Sequence, residues 1–427
     1  MALDPEELKR QRQLRQQQRE KQRRQYRRFM VRLCVAGAML LLCGVLIFFV
    51  SRDRGENPSA ETPGTQPPVP QTSQTQESTE PTEPTTVIHL AAAGDLNISD
   101  GVVEAGGPQY DYKDVFLDVA HLFADADLSV VNLEGNLYST PYGTQTHSAP
   151  QSLVQALGDA GVDLIQLANS YSINRGISGL RQTINGVREA GMEPLGVYAD
   201  EAEFKAGQGY VIRDVNGISV AMVAFTKGMD GMALPAGSEN CVNVLYEDYD
   251  STYQNVDTQK ITKILEAVEA EKPDITVAFL HWGSEYNNTI SASQTQIAKL
   301  LQQLGVDAII GTHSHYVQKM EQDPQTGNFI AYSLGDFFGD AQRSGTEYSV
   351  ILDLEITRDN ATGVTKVTDY TYTPIFTVTE KDDPVKVVRI EQAMLAYNEN
   401  YIDRVSQQNY EAMEYALGRI TARVAGE

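Results

Sequence analysis

From Thr86 onward one pattern recurs: a short apolar run, a polar motif at its end, then a stretch with helical spacing. Val87–Ala93 ends in Gly94-Asp95, Leu128–Val131 in Asn132-Leu133-Glu134-Gly135, and Leu164–Leu167 in Ala168-Asn169-Ser170-Tyr171. Ile275–Leu280 ends in His281-Trp282-Gly283, Ala308–Ile310 in Gly311-Thr312-His313-Ser314-His315, and Phe329–Leu334 in Gly335-Asp336-Phe337. Such runs read as strands, and their alternation with helices reads as an α/β fold. The helical stretches are Val115–Ala126, Leu153–Gly161, Leu180–Ala190, Thr258–Ala270 and Thr295–Leu304. Asn216-Gly217, between Val211–Arg213 and Ser219–Phe225, predicts a tight hairpin. Tyr348–Ile356 and Val364–Val378 predict strands in a hairpin-rich edge.

In open α/β sheets ligands bind at the carboxyl ends of the strands. Asp95, Glu134, His281, His313 and His315 all stand there, so residues distant in sequence are expected to converge. The chain has only six histidines, and three occupy two strand-end motifs. Two imidazoles two residues apart on one loop can face one metal ion. Mixed carboxylate and imidazole donors suit one or two divalent ions, with Mn, Fe, Zn and Mg all open. Glu285 ligates, hydrogen-bonds a ligand, or is a solvated loop acid, and the sequence leaves all three open. His89, His121 and His147 have no such context and are expected to be structural.

Before this region stands Leu33–Val50, 18 residues without a charge, close to the ~20 that span a bilayer. Eleven basic residues lie between Lys9 and Arg32, and residues 55–86 contain none. The positive-inside rule then predicts a cytoplasmic tail over 1–32, a single transmembrane helix over 33–50, and an outside location for the rest. A cleaved signal peptide is the alternative, disfavoured by the long basic region and long apolar run. Residues 51–86 read as a disordered linker: seven of the 32 residues from 55 to 86 are Pro and eleven are Ser or Thr.

Charge is divided accordingly. Residues 1–54 hold 13 basic and 5 acidic side chains, a net of +8, which leaves 34 − 13 = 21 basic and 57 − 5 = 52 acidic beyond them, a net of −31. So acidic a domain would repel phosphate backbones, which excludes nucleic acid as partner. The three cysteines, Cys34, Cys43 and Cys241, exclude a disulfide scaffold. Residues 384–427 carry apolar positions at helical spacing and predict two amphipathic helices, packed on the domain or on a partner.

The ordered motifs resemble the CapA family, bacterial capsule-synthesis proteins of the poly-γ-glutamate type. The resemblance rests on Gly94-Asp95, Asn132-Leu133-Glu134, Leu167-Ala168-Asn169, His281-Trp282-Gly283-Ser284-Glu285-Tyr286, Gly311-Thr312-His313-Ser314-His315 and Tyr332-Ser333-Leu334-Gly335. It implies a calcineurin-type metallophosphoesterase fold: two packed mixed β-sheets flanked by helices, over 87–380; the resemblance fades beyond that, and the apolar spacing alone predicts the helical extension over 381–427. By analogy Asp95, Glu134 and His315 hold one metal, and Glu134, His281 and His313 a second. Asn97, Asn132, Ser170, Trp282, Glu285, Tyr286 and Asp336 are then the neighbouring or ligand-binding residues.

The sequence departs from the family where chemistry would be done. The family's Asn-Asn-His reads Asn169-Ser170-Tyr171, so the usual ligand Asn is Ser170 and the usual acid His is Tyr171. Asn169 and Tyr171 remain as catalytic candidates. The first expectation is therefore a membrane-anchored, extracellular protein handling an anionic capsule or envelope polymer such as poly-γ-glutamate, next to membrane-bound polymer synthase components. Basic residues such as Arg175, Lys227 and Arg343, or metal ions, would have to offset its acidity. An extracellular metal-dependent phosphoesterase is the second reading, and a non-catalytic binding domain the third.

Overall fold

The apolar runs become strands because β-branched and small residues fit a pleated surface covered on both faces. The computed structural model describes residues 85–341, 343–380, 385–401 and 405–427. The basic tail, the apolar run Leu33–Val50 and nearly all of the Pro/Thr linker lie outside the described residues. No helix within them is long and apolar enough to cross a membrane.

The strands in chain order begin with β1 (Thr85–Asn97), β2 (Leu128–Glu134), β3 (Asn136–Leu137), β4 (Ser148–Ala149), β5 (Leu164–Gln166), β6 (Glu193–Leu195), β7 (Tyr210–Val215) and β8 (Ile218–Thr226). They continue with β9 (Ile275–His281), β10 (Ala308–Thr312), β11 (Met320–Gln322), β12 (Phe329–Ala331), β13 (Asp336–Phe338), β14 (Tyr348–Asp359), β15 (Thr365–Val378) and β16 (Lys386–Arg389). One sheet has the order β16-β15-β14-β1-β2-β5-β6, with β13 also paired to β1. Within it β1, β2, β5 and β6 run parallel, and β14 to β16 extend it antiparallel. The second sheet has the order β11-β12-β10-β9-β8-β7, parallel at its centre.

Side-chain alternation shows how the sheets stack. On β8, Val220, Met222 and Ala224 enter the core shared with β1, β2 and β14. Ala221, Val223 and Phe225 of the same strand pack the other way, with Ile261 and Leu265 of one helix and Ile297 and Leu301 of another. β9 divides likewise, Val277 and Phe279 one way, Ala278 and Leu280 the other. The molecule is thus a mixed α/β sandwich with helices outside, as expected. At the predicted hairpin Asn216 and Gly217 have φ 53° and 86°, the double positive φ of a type I′ turn.

Two expectations fail. Val115–Ala126 is helical only over Ala120–Ala124. The Val115 carbonyl accepts the Val387 N–H at 2.9 Å, and the Asp118 carboxylate accepts from Arg389, so the segment is committed to β16 rather than to its own helix. The predicted helix starting at 384 is also wrong at its start: Lys386–Arg389 is strand β16, paired to β15. Its β-branched Val387 and Val388 enter the main core. Helices follow over Ile390–Asn398 and Gln407–Ala425. The second is capped by Ser406 and buries Met413, Ala416, Ile420 and Val424.

Candidate metal centre

Sheet register brings the strand-end motifs to one place. Asn97 of β1 is opposite Glu134 of β2, Asp95 is opposite both Asn132 and Asp336, and His281 of β9 is opposite Thr312 of β10. β1 and β13 approach so closely that a Cβ on Gly94 would lie 1.8 Å from the Gly335 carbonyl oxygen. Only glycine fits there. The Asp95 N–H donates to that same oxygen at 3.0 Å.

Five predicted ligands meet in two overlapping sets. Donor atoms of Glu134, His281 and His313 lie within 4.8 Å of one another, as do those of Asp95, Glu134 and His315. Glu134 belongs to both sets, and all five residues are buried. Its Oε1 is 3.2 Å from His281 Nε2, yet without hydrogen-bond geometry, and neither of its oxygens has a hydrogen-bond partner. His313 Nε2 is likewise buried and unpartnered. A buried carboxylate that accepts no hydrogen bond is costly even beside a charged imidazole. Orphaned oxygens and an orphaned imidazole nitrogen, aimed together, fit a divalent cation as the missing partner.

Supporting contacts orient the donors. Asn132 Nδ2 donates to Asp95 Oδ1 at 2.5 Å, and the His313 backbone N–H donates to Asp95 Oδ2 at 2.8 Å. His315 Nδ1 is 2.7 Å from Asp336 Oδ1, and His281 Nδ1 is 3.0 Å from Thr312 Oγ1. Asn169 Nδ2 donates to the Leu133 carbonyl at 2.6 Å and to Asn132 Oδ1 at 3.2 Å. Ser170 Oγ stands 2.9 Å from His281 Nε2 and 3.4 Å from His313 Nδ1, inside the ligand cluster. His313 and His315 have φ 86° and 59°, left-handed values for side-chain-bearing residues that cost about 1–3 kcal/mol each and concentrate at functional sites.

Without a cation the cluster sorts protons by charge. Burial opposes protonation of His281, but Glu134 and Asp95 outweigh it and hold the imidazole up to about 9. Burial likewise opposes His315, whose imidazole is held well above its ordinary value by Asp336, Glu134 and Asp95. His313 lies well below, through burial and the charges of His281, Lys227 and His315. Burial, with Asp95 and Glu134 nearby, raises Asp336 to about 7 against the pull of His315.

The other predicted residues divide. Asn132, Asn169, Ser170 and Asp336 join the cluster. Tyr286 stacks on His315 with ring centroids 4.8 Å apart. Asn97 stands opposite the shared Glu134 in the sheet, whereas Glu285 belongs to neither donor set and is exposed. Trp282 turns away into the second core, where Nε1 donates to the Tyr332 carbonyl at 2.9 Å and the ring stacks on Tyr332. Tyr171 is covered by the imidazole of His147, centroids 3.5 Å apart and planes at 8°. Burial, with the Glu134 charge, pushes its phenol above its ordinary value, which makes it a weak acid for catalysis. His147, expected to be structural, makes a packing contact there. No local signal marks it, because its contact with Tyr171 is made only by tertiary folding.

A family model described as bacterial capsule synthesis protein PGA_cap matches residues 89–341. The capsule biosynthesis protein CapA of Bacillus anthracis is 31% identical over 222 residues, 52% of this chain and 50% of that protein. The PGA biosynthesis protein CapA of Bacillus subtilis (strain 168) is 27% identical over 215 residues, 50% of this chain and 52% of that protein. The chain therefore spans about half the length of these relatives. Among solved structures, the calcineurin-like phosphoesterase YfkN from Bacillus subtilis aligns over 78% of this chain and 100% of that one, at 15% identity and a TM-score of 0.41. A hypothetical protein from Thermus thermophilus aligns over 67% and 98%, at 15% identity and a TM-score of 0.42.

Proposed function

Because this chain belongs to the bacterial capsule synthesis protein family PGA_cap, we propose that it acts in the biosynthesis, export or attachment of an anionic capsule or envelope polymer of the poly-γ-glutamate class. The observation that carries the reading is Glu134, buried, shared by both donor sets and without a hydrogen-bond partner. Asp95, Glu134, His281, His313 and His315 would hold one or two divalent ions, which would supply Lewis acidity and positive charge. The chain's own residues do the rest. Asn132 fixes the Asp95 carboxylate on β1, Asn169 fixes Asn132 and the end of β2, and Asp336 orients His315. Positive charge at the strand ends answers the acidity of the domain, since a net −31 beyond residue 54 repels a polyanion.

The apolar run Leu33–Val50, after a basic tail and before a Pro/Thr-rich linker, supports a single-pass membrane anchor with the domain outside the cell. Membrane-bound polymer synthase components are the corresponding partners. Cells lacking the chain should lose surface polymer, and the wild-type chain should restore it where Glu134→Gln does not. Unchanged polymer in the deletion strain contradicts the reading.

One observation favours a second reading, metal-dependent phosphoester hydrolysis: a carboxylate shared between two donor sets is the arrangement that two adjacent ions require. Hydrolysis of a generic phosphodiester by the purified chain with added Mn²⁺, lost in Glu134→Gln, would support it. Ser170 and Tyr171, in place of the family's Asn and His, weigh against it.

A further inference from the structure

His147 lies outside both donor sets, yet it is built against the metal centre. The link is Asn136, which follows the shared carboxylate Glu134 by two residues and is fully buried. Its backbone N–H donates to the His147 carbonyl at 2.7 Å. Its Nδ2 donates to the Tyr171 carbonyl at 2.8 Å, and its Oδ1 accepts the Arg175 N–H at 2.9 Å. Asn174 Nδ2 donates to the Thr146 carbonyl at 2.7 Å, and β3 pairs with β4 through Asn136 and Ser148. The loop before β4 and the loop after β5 are thus held together at the end of β2. Across that junction the imidazole of His147 lies flat on the Tyr171 ring. Tyr171 directly follows Ser170, whose Oγ stands 2.9 Å from His281 Nε2 inside the ligand cluster.

The ring is held but not committed. His147 has φ 42°, a left-handed value that concentrates at functional sites in residues other than glycine. Its Nδ1 is buried without a hydrogen-bond partner. The ring as a whole is half-buried, which leaves Nε2 as its accessible edge. Packing on Tyr171 requires neither nitrogen, and phenylalanine would stack there as well. Burial holds the imidazole below its ordinary value, against the Glu134 charge, the Ile98 carbonyl and the Asp230 charge. An anion bound at the strand ends would add to those charges and favour the imidazolium. The phenol beneath it is pushed the other way, above its ordinary value, by burial and by Glu134.

We infer that His147 is the catalytic proton donor of this centre, protonating through Nε2 the leaving oxygen of an alkyl phosphodiester in place of the phenol it covers. The inference rests on the second reading above, phosphoester hydrolysis, and removes one of the two objections to it, since Tyr171 need not act as the acid. In the step, the oxygen of water bonds to phosphorus and the bond from phosphorus to the alcohol oxygen breaks. The imidazolium proton passes to the departing oxygen, and the proton given up by the attacking water restores the imidazolium. The products are a phosphomonoester and an alcohol, with no further reactant consumed. Proton transfer by a positioned side chain contributes about 10²–10⁴-fold.

The test compares two esters on the purified full chain in detergent with added Mn²⁺. Bis(4-nitrophenyl) phosphate loses a leaving group that departs without a proton, whereas a glycerophosphodiester loses an alkoxide that needs one. His147→Asn suits the left-handed backbone, and His147→Phe keeps the stack on Tyr171; metal content and thermal midpoint are recorded for both. Each variant should lose about 100-fold in kcat on the glycerophosphodiester and little on the nitrophenyl ester, with metal content unchanged. Adding Tyr171→His to His147→Phe returns an imidazole to the other side of the stack and should recover about tenfold of that loss. A readout without turnover is acylation by diethyl pyrocarbonate, mapped by peptide mass: His147 should react, and inorganic phosphate should protect it. Undiminished glycerophosphodiester turnover in both variants overturns the assignment and leaves the hydrolytic reading standing. Equal losses on the two esters, or acylation of His147 indifferent to phosphate, also overturn it. No turnover of either ester by the metal-loaded wild type overturns the assignment and the hydrolytic reading together.

Discussion

Glu134 Oε1 stands 3.2 Å from His281 Nε2, both groups fully buried, and still neither Glu134 oxygen receives a hydrogen bond. The carboxylate meets its neighbours through charge alone and leaves both oxygens free to accept a further partner. Because it belongs to both donor sets while His313 and His315 each belong to one, substitutions should rank. Glu134→Gln should weaken Mn²⁺ binding in calorimetric titration by more than either His313→Ala or His315→Ala. Equal losses for all three would mean that Glu134 is not shared.

Metal uptake should depend on pH with a definite sign. In the metal-free protein His281 is held up to about 9, burial being outweighed by Glu134 and Asp95, and His315 is held well above its ordinary value. Imidazole binds metal only when neutral, so a cation must displace these protons. Apparent affinity should therefore rise steadily from pH 6 to pH 9, with proton release measurable in weakly buffered solution. An affinity flat over that range contradicts the proton assignment.

Trp282 separates packing from binding. Replacing it with phenylalanine removes the 2.9 Å bond to the Tyr332 carbonyl and leaves a buried acceptor unpaired, a loss of about 1–3 kcal/mol. Chemical denaturation should show that loss while metal content stays at the wild-type level. Reduced metal content at unchanged stability would return Trp282 to the site.

Gly94→Ala tests the junction of β1 and β13. The new methyl would lie 1.8 Å from the Gly335 carbonyl oxygen, so the strands must part and the hydrogen bond from Asp95 must break. The destabilisation should exceed ~4 kcal/mol, in the class of severe core disruptions, read as a lowered urea midpoint or loss of soluble protein. A stability close to wild type would mean that the strands are not held this close.

Much of this was legible before the structure. Parallel strands covered on both faces read as apolar runs, and their C-terminal ends read as the polar motifs that follow, so Asp95, Glu134, His281, His313 and His315 could be placed at one edge. What escaped depends on tertiary partners. Trp282 shares a motif with His281, but successive residues at a strand end point to opposite faces, and its ring packs in the second core. Val115 and Asp118 sit in a helical pattern, yet their polar groups are taken by β16. Val387 and Val388 fit either period. The His147–Tyr171 stack joins segments far apart in sequence, which no local pattern records.

The measurement closest to the central claim is elemental analysis of the purified, folded chain after exposure to Mn, Fe and Zn. The account predicts one or two divalent ions per chain, sharply reduced in His281→Ala and His313→Ala. It also predicts a thermal midpoint that falls on chelation, since a ligand at about 100 times its dissociation constant adds roughly 2.7 kcal/mol. Wild-type protein that folds, carries no metal after loading and is indifferent to chelation would contradict it.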